Sequence, residues 1–155
     1  MQTFPQSNKL RKGRYSESNR IYLITATTHQ RQRWFSSFYS ARLVTQQLIA
    51  AEKNGEANSL AFVIMPDHFH WLCQLQEHRT LSSVIQKMKS NVSRELRKTL
   101  RSSKLTVWQQ GFHDHALRKE EDVVAISRYI IANPLRAGLV TKVGQYPHWD
   151  CVWLD

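Results

Sequence analysis

A chain of 155 residues, 41% hydrophobic and 22% charged, has room for one domain with one core, and this composition excludes collagen-like, wholly disordered and membrane-spanning classes. Lys and Arg number 22 against 12 Asp and Glu, so the formal charge is +10, and a surplus of that size points first to a polyanionic partner, nucleic acid before an anionic membrane surface. The longest apolar runs, such as residues 60–65, fall far short of the roughly 18 residues of a membrane span. Residues 1–13 are polar and basic with no apolar stretch of the kind a signal peptide carries, and two cysteines, Cys73 and Cys151, are too few for a disulfide scaffold. A cytoplasmic protein with reduced thiols is the expectation.

In chain order, residues 1–19 read as a polar arm, with Lys9, Arg11, Lys12 and Arg14 clustered around Gly13 and no apolar face to bury. Residues 20–28 (RIYLITATT) have the β-branched and aromatic content of a strand. A helix is predicted over 35–53, with Phe38, Val44, Leu48 and Ala51 facing inward, and Asn54-Gly55 supplies its stop. Residues 59–65 (SLAFVIM) and 68–75 (HFHWLCQL) then form a hairpin about Pro66-Asp67. Thr80 is the expected N-cap of a second helix, whose Leu81, Val84, Ile85, Met88, Val92, Leu96 and Leu100 recur at three and four residues. On the opposite arc lie Lys87, Arg94, Arg97, Lys98 and Arg101, a solvated face or one that follows phosphates.

After a loop from Trp108, a short strand is expected around 115–118. Glu120, Glu121 and Asp122 place carboxylates at the N-terminus of a third helix, which Pro134 ends. Residues 135–155 read as loop and tail. The order β-α-β-β-α-β-α is that of an α+β fold, a ferredoxin-like split β-α-β sandwich with an additional C-terminal helix, one sheet face covered by helices and the other open to ligands. The expected division is a basic arm over 1–19, the folded domain over 20–140 and a C-terminal tail over 141–155.

Alternation along the second hairpin strand sends His68 and His70 to one face and Phe69, Trp71, Cys73 and Leu75 to the other. Two imidazoles on one face are either a pair of surface histidines or half a metal site. Position 72 is Leu, which excludes a histidine-triad hydrolase. Tyr129 and Asn133 lie four residues apart on the third helix and share a face, where a packing residue and a helix cap are the ordinary reading. Taken with His68 and His70, however, the Asn133 carbonyl completes a workable ligand set for Mg²⁺ or Mn²⁺, and Tyr129 offers a hydroxyl beside it. A second HxH, His113 and His115, is expected to contact DNA or shape its strand, and Trp108 is the tryptophan best suited to stack on a base.

These residues resemble the single-tyrosine HUH transposases, and among them the type associated with repetitive extragenic palindromes. The likeness covers residues 11–17 (RKGRYSE), Tyr22 and the strand through Thr28, residues 63–70 (VIMPDHFH), 108–115 (WQQGFHDH), Tyr129-Ile130 and 133–140 (NPLRAGLV); the tail around Tyr146-Pro147-His148-Trp149 matches loosely. The resemblance implies a divalent metal, Mg²⁺ or Mn²⁺, held by His68, His70 and Asn133, with Tyr129 as nucleophile. It also implies cleavage and rejoining of single-stranded DNA beside a palindromic hairpin through a 5′-phosphotyrosine, by a monomer or homodimer. Arg11, Lys12, Arg14 and Tyr15 in the arm, with Trp108, His113 and His115, are the candidate DNA contacts. A non-catalytic single-stranded nucleic-acid-binding module would share fold and charge but have no use for a metal pair aligned with a hydroxyl.

Overall fold

The computed structural model describes residues 20–118 and 121–152. In chain order its elements are β1 (Ile21–Thr27), α1 (Phe38–Lys53), β2 (Ala57–Met65), β3 (His68–Leu75), α2 (Leu81–Thr99), β4 (His113–Ala116), α3 (Val123–Ile131), the short α4 (Asn133–Arg136) and β5 (Trp149–Cys151). The strands form one antiparallel sheet in the order β4-β1-β3-β2-β5, so the expected α+β arrangement holds and the central strand is the one with the paired histidines. Arg11, Lys12, Arg14, Tyr15 and the rest of the arm lie outside the described residues, as do Glu120 and Trp153.

Local chemistry sets the boundaries. Thr80 caps α2 by accepting the Ser83 N–H, as its sequence position predicts. Gly55, at φ +67°, follows the α1 C-cap and lets the Glu56 N–H reach the Ala51 carbonyl, a Schellman closure. The third helix departs from expectation at both ends. Of the expected acidic N-terminus, Asp122 acts as the cap, accepting the Ala125 N–H, whereas Glu121 turns back to His115. At the other end Pro134 does not stop the chain's helical course. A proline lacks only an N–H that the first turn of a helix leaves unpaired, so Pro134 opens α4 instead. Asn133 is therefore not a cap; it is the first residue of α4 and its carbonyl accepts the Ala137 N–H.

Two cores flank the sheet. On one face Ile24, Phe69, Trp71, Cys73 and Leu75 meet α1 and α2 through Val44, Leu48, Val84, Ile85, Met88 and Leu96. The other face, expected to be open, is partly covered: Ala61, Val63, Met65 and Leu72 pack under Ile130 and Ile131 of α3. The cause is legible in hindsight, since α3 is mostly apolar and must bury that surface somewhere. Nor is the C-terminal stretch only loop and tail, because β5 pairs with the outer edge of β2 and the Tyr146 hydroxyl donates to the Ile64 carbonyl at 2.5 Å. Phe38 and Leu100, counted inward by periodicity, are exposed, at the first turn of α1 and just past the end of α2. Arg101 likewise lies beyond α2, at φ +53°. Cys73 and Cys151 are buried free thiols, and burial pushes the Cys73 thiol well above its ordinary range. Among the described residues no helix is long and apolar enough to cross a membrane.

Candidate active site

Directly opposed residues of antiparallel strands point to the same face of a sheet, so the register shows which side chains share the surface under α3. His70 faces Thr25 on β1 and Val63 on β2; Thr25 in turn faces His113 on β4, and Val63 faces Trp149 on β5. His68 faces Thr27 and Met65, and His115 faces Leu23. The two HxH pairs therefore lie on the same face, with one strand between them.

The rings of His68 and His70 are 4.9 Å apart, edge to face. Each has its Nδ1 engaged: His68 Nδ1 is 2.7 Å from Asp67 Oδ1, and His70 Nδ1 is 2.7 Å from Thr25 Oγ1. A carboxylate can only accept, so His68 carries its proton on Nδ1 and leaves the Nε2 lone pair available. Neither Nε2 has a hydrogen-bond partner among the described residues. Burial pushes both imidazoles below the usual histidine range, His70 to about 3, where the neighbouring His68 and the Arg136 charge act in the same direction. Both rings are thus neutral at physiological pH, the state in which imidazole binds a cation.

Asp67 is itself anchored. Its carboxyl is held below the ordinary carboxylate range: burial alone would raise it, but the hydrogen bond from His68 and the Arg31 guanidinium outweigh that. Arg31 Nε donates to Asp67 Oδ2 at 2.9 Å, reaching it from a turn in which Gln30 and Arg31 both adopt left-handed φ near +53°. The Thr28 N–H donates to the Asp67 carbonyl and the Phe35 N–H to that of Pro66, so the hairpin turn before His68 is pinned from two sides. Thr25, Asp67 and Arg31 carry this support, and sequence reasoning gave none of them a role. Asp67 could have been found, as the residue adjoining a candidate ligand; Thr25 becomes visible only through register.

Tyr129 is partly exposed on α3, whose next residues, Ile130 and Ile131, hold the helix to β2. The Arg136 guanidinium stacks over its ring with the central carbon 3.8 Å from the centroid, and the same charge acts on His70. Asn133, one turn before Arg136, is half-buried, and its side chain has no hydrogen-bond partner among the described residues. Among those residues no cluster of three His, Cys, Asp or Glu could hold a metal.

The remaining candidates are placed differently. His115 Nε2 is 3.0 Å from the Glu121 carboxylate, which also accepts the Arg118 N–H. Those bonds hold Glu121 below its ordinary range, the backbone bond contributing most. Trp108 lies on the helical side of the sheet: its ring packs on Phe35 and Phe69 at 5.3 and 5.8 Å, and its Nε1 donates to the Lys89 carbonyl. It is not brought to the histidine face. It instead walls a groove of about 770 Å³ between α2 and residues 108–112, lined also by Lys89, Arg94 and Arg97.

Comparison with known proteins bears on this arrangement. The family model "Transposase IS200 like" matches residues 16–133. The chain is 30% identical over 99 residues to a Haemophilus influenzae protein named "Putative REP-associated tyrosine transposase", and 27% identical over 96 residues to an uncharacterized protein of the same organism. These alignments take in 58% and 48% of this chain and 56% and 52% of the relatives, so the chain spans about half the length of the proteins it matches. Its fold superposes on that of a REP-associated tyrosine transposase bound to a REP hairpin with a TM-score of 0.71, at 22% identity, over 88% of this chain and 79% of that one.

Proposed function

The chain belongs to the IS200-like transposase family, and from that premise we propose that it is a metal-dependent single-stranded DNA endonuclease and strand transferase acting at palindromic hairpins through Tyr129. The observation that carries the reading is the neutral histidine pair, each Nδ1 occupied and each Nε2 free, on the sheet face against which the Tyr129 helix packs. Asp67 and Thr25 fix the orientation of the two rings, the kind of support that metal-ligating histidines ordinarily have. His68, His70 and the Asn133 amide oxygen would hold Mg²⁺ or Mn²⁺, which supplies charge neutralisation at the phosphate when bound.

The rest of the chemistry belongs to the chain. Tyr129 presents its hydroxyl from a helix clamped by Ile130 and Ile131, so the nucleophile is positioned by packing. Its oxygen forms a bond to phosphorus as the P–O3′ bond breaks; the leaving 3′ oxygen keeps that electron pair and takes up the proton the phenol gives away. The strand then ends in a free 3′-hydroxyl on one side and a 5′-phosphotyrosine on the other. A later attack by another 3′-hydroxyl reverses the exchange, so rejoining needs no ATP. His113 and His115, on the same face one strand away, are suited to guide the strand toward the pair.

Incubation with labelled single-stranded palindromic DNA and Mg²⁺ tests the proposal. Cleavage should occur, stop with EDTA, and stop in His68→Ala and His70→Ala while hairpin binding persists. Cleavage that survives EDTA contradicts it, and hairpin binding without cleavage under any divalent cation favours the non-catalytic binding module.

A further inference from the structure

Arg136 has a job that its packing does not explain. It is exposed, and among the described residues its guanidinium makes no hydrogen bond or ion pair, only the stack on Tyr129. Yet the chain fixes it with care. Pro134 opens the single turn of α4, and Gly138 at φ +74° closes it, the Leu139 N–H reaching back to the Pro134 carbonyl. A helix of one turn has little stability of its own, so this bracketing serves to hold what the turn carries.

We propose that Arg136 grips the non-bridging oxygens of the scissile phosphate while it stacks on Tyr129. The inference rests on the transesterase reading above. The physical basis is the shape of the group. A guanidinium that lies over an aromatic ring spends no N–H donor on it, and its planar fork of donors remains able to take a bidentate acceptor. The acceptor that must approach the Tyr129 hydroxyl is a phosphodiester carrying one negative charge, and the five-coordinate transition state gathers more of it on the same oxygens. The Arg136 guanidinium lies over the ring of the nucleophile and one turn beyond Asn133, on the turn that follows the tyrosine helix, so a phosphate that reaches the Tyr129 hydroxyl comes close to it. Stacking restricts the long side chain before the substrate arrives, lowering the ordering cost at the moment of reaction.

The test compares wild type, Arg136→Ala, Arg136→Lys and Tyr129→Phe on two versions of one hairpin oligonucleotide. One carries the natural phosphodiester at the linkage the wild type cleaves, the other a neutral methylphosphonate there. Because Arg136 is exposed, Arg136→Ala should fold, and an unchanged melting temperature and far-ultraviolet circular dichroism would show it. On the phosphodiester, covalent adduct formation should slow about 100-fold in Arg136→Ala, with Arg136→Lys recovering part of the loss. On the methylphosphonate, which has no charge to neutralise, Arg136→Ala and wild type should react within a few-fold of each other. An equal deficit on both substrates would mean that Arg136 only supports Tyr129 mechanically, and an unimpaired Arg136→Ala would give it no part in the reaction; either overturns the inference while leaving the transesterase reading intact. Failure of the wild type to form any adduct, or an adduct that survives Tyr129→Phe, overturns the transesterase reading and this inference with it.

Discussion

Replacing Thr25 by Val keeps shape and β-propensity but removes the hydroxyl that sits 2.7 Å from His70 Nδ1. Val can neither accept nor donate, so the buried Nδ1 loses its partner in either tautomer, a loss of about 1–3 kcal/mol. At about 2 kcal/mol, and about 2–4 °C per kcal/mol for a chain of this size, the metal-free melting temperature should drop by about 4–8 °C. A second effect is specific to the site. With nothing to hold Nδ1, the ring is free to turn and to change tautomer, and loss of such support typically weakens metal affinity about 10- to 100-fold. At Mn²⁺ equal to 100 times the wild-type Kd, linkage stabilises the wild type by about 2.7 kcal/mol; a tenfold weaker site gains about 1.4 kcal/mol and a hundredfold weaker one about 0.4 kcal/mol. Thermal unfolding of both proteins with and without Mn²⁺ separates the two effects. A Thr25→Val protein that melts lower but gains as much from Mn²⁺ as wild type would refute the argument that Thr25 orients a ligand.

Three further outcomes are expected. Arg101 holds a left-handed φ of +53° at the end of α2, where its Cβ is strained, so Arg101→Gly should raise stability by about 0.5–1 kcal/mol in urea unfolding; a loss would show that its side chain holds the helix end. Cys73 and Cys151 are buried, so neither should react with a maleimide in the native protein and both should in denaturant, whereas rapid native labelling would place one at the surface. The salt slope of single-strand binding should fall by about 0.7 per lost phosphate contact. It should flatten more in an Arg11/Lys12/Arg14→Ala variant than in Arg94→Ala/Arg97→Ala, because α2 lies on the face away from the histidines; the reverse would route the DNA along the groove beside α2.

What could be read in advance followed from local rules, and what could not depended on pairing. Alternation along β3 is a property of any strand, so the shared face of His68 and His70 and the burial of Phe69, Trp71 and Cys73 were visible without knowing the neighbours. Thr80 and Asn54-Gly55 mark helix ends through hydrogen bonds within a few residues. By contrast β5 is three residues long and has no periodicity; it is a strand only because the edge of β2 pairs with it. The partly covered second face was missed although Val123, Ile126 and Ile130 recur at helical spacing, because the third helix is read from its acidic start and its proline, which say nothing of the surface it covers. Thr25 meets His70 across 45 residues of chain, and no pattern along the sequence marks such a contact. Arg136 was visible as a letter between Pro134 and Gly138, but its stack on Tyr129 appears only once α4 turns it back.

The central claim is that Tyr129 is the residue that becomes joined to DNA. Wild-type protein incubated with a single-stranded palindromic hairpin and Mg²⁺, digested with a protease and sequenced by mass spectrometry, should yield one nucleotide-bearing peptide, modified at Tyr129 and missing from Tyr129→Phe. A modified peptide containing Tyr15, Tyr22, Tyr39 or Tyr146 in its place, or cleaved DNA with no peptide attached, would contradict it.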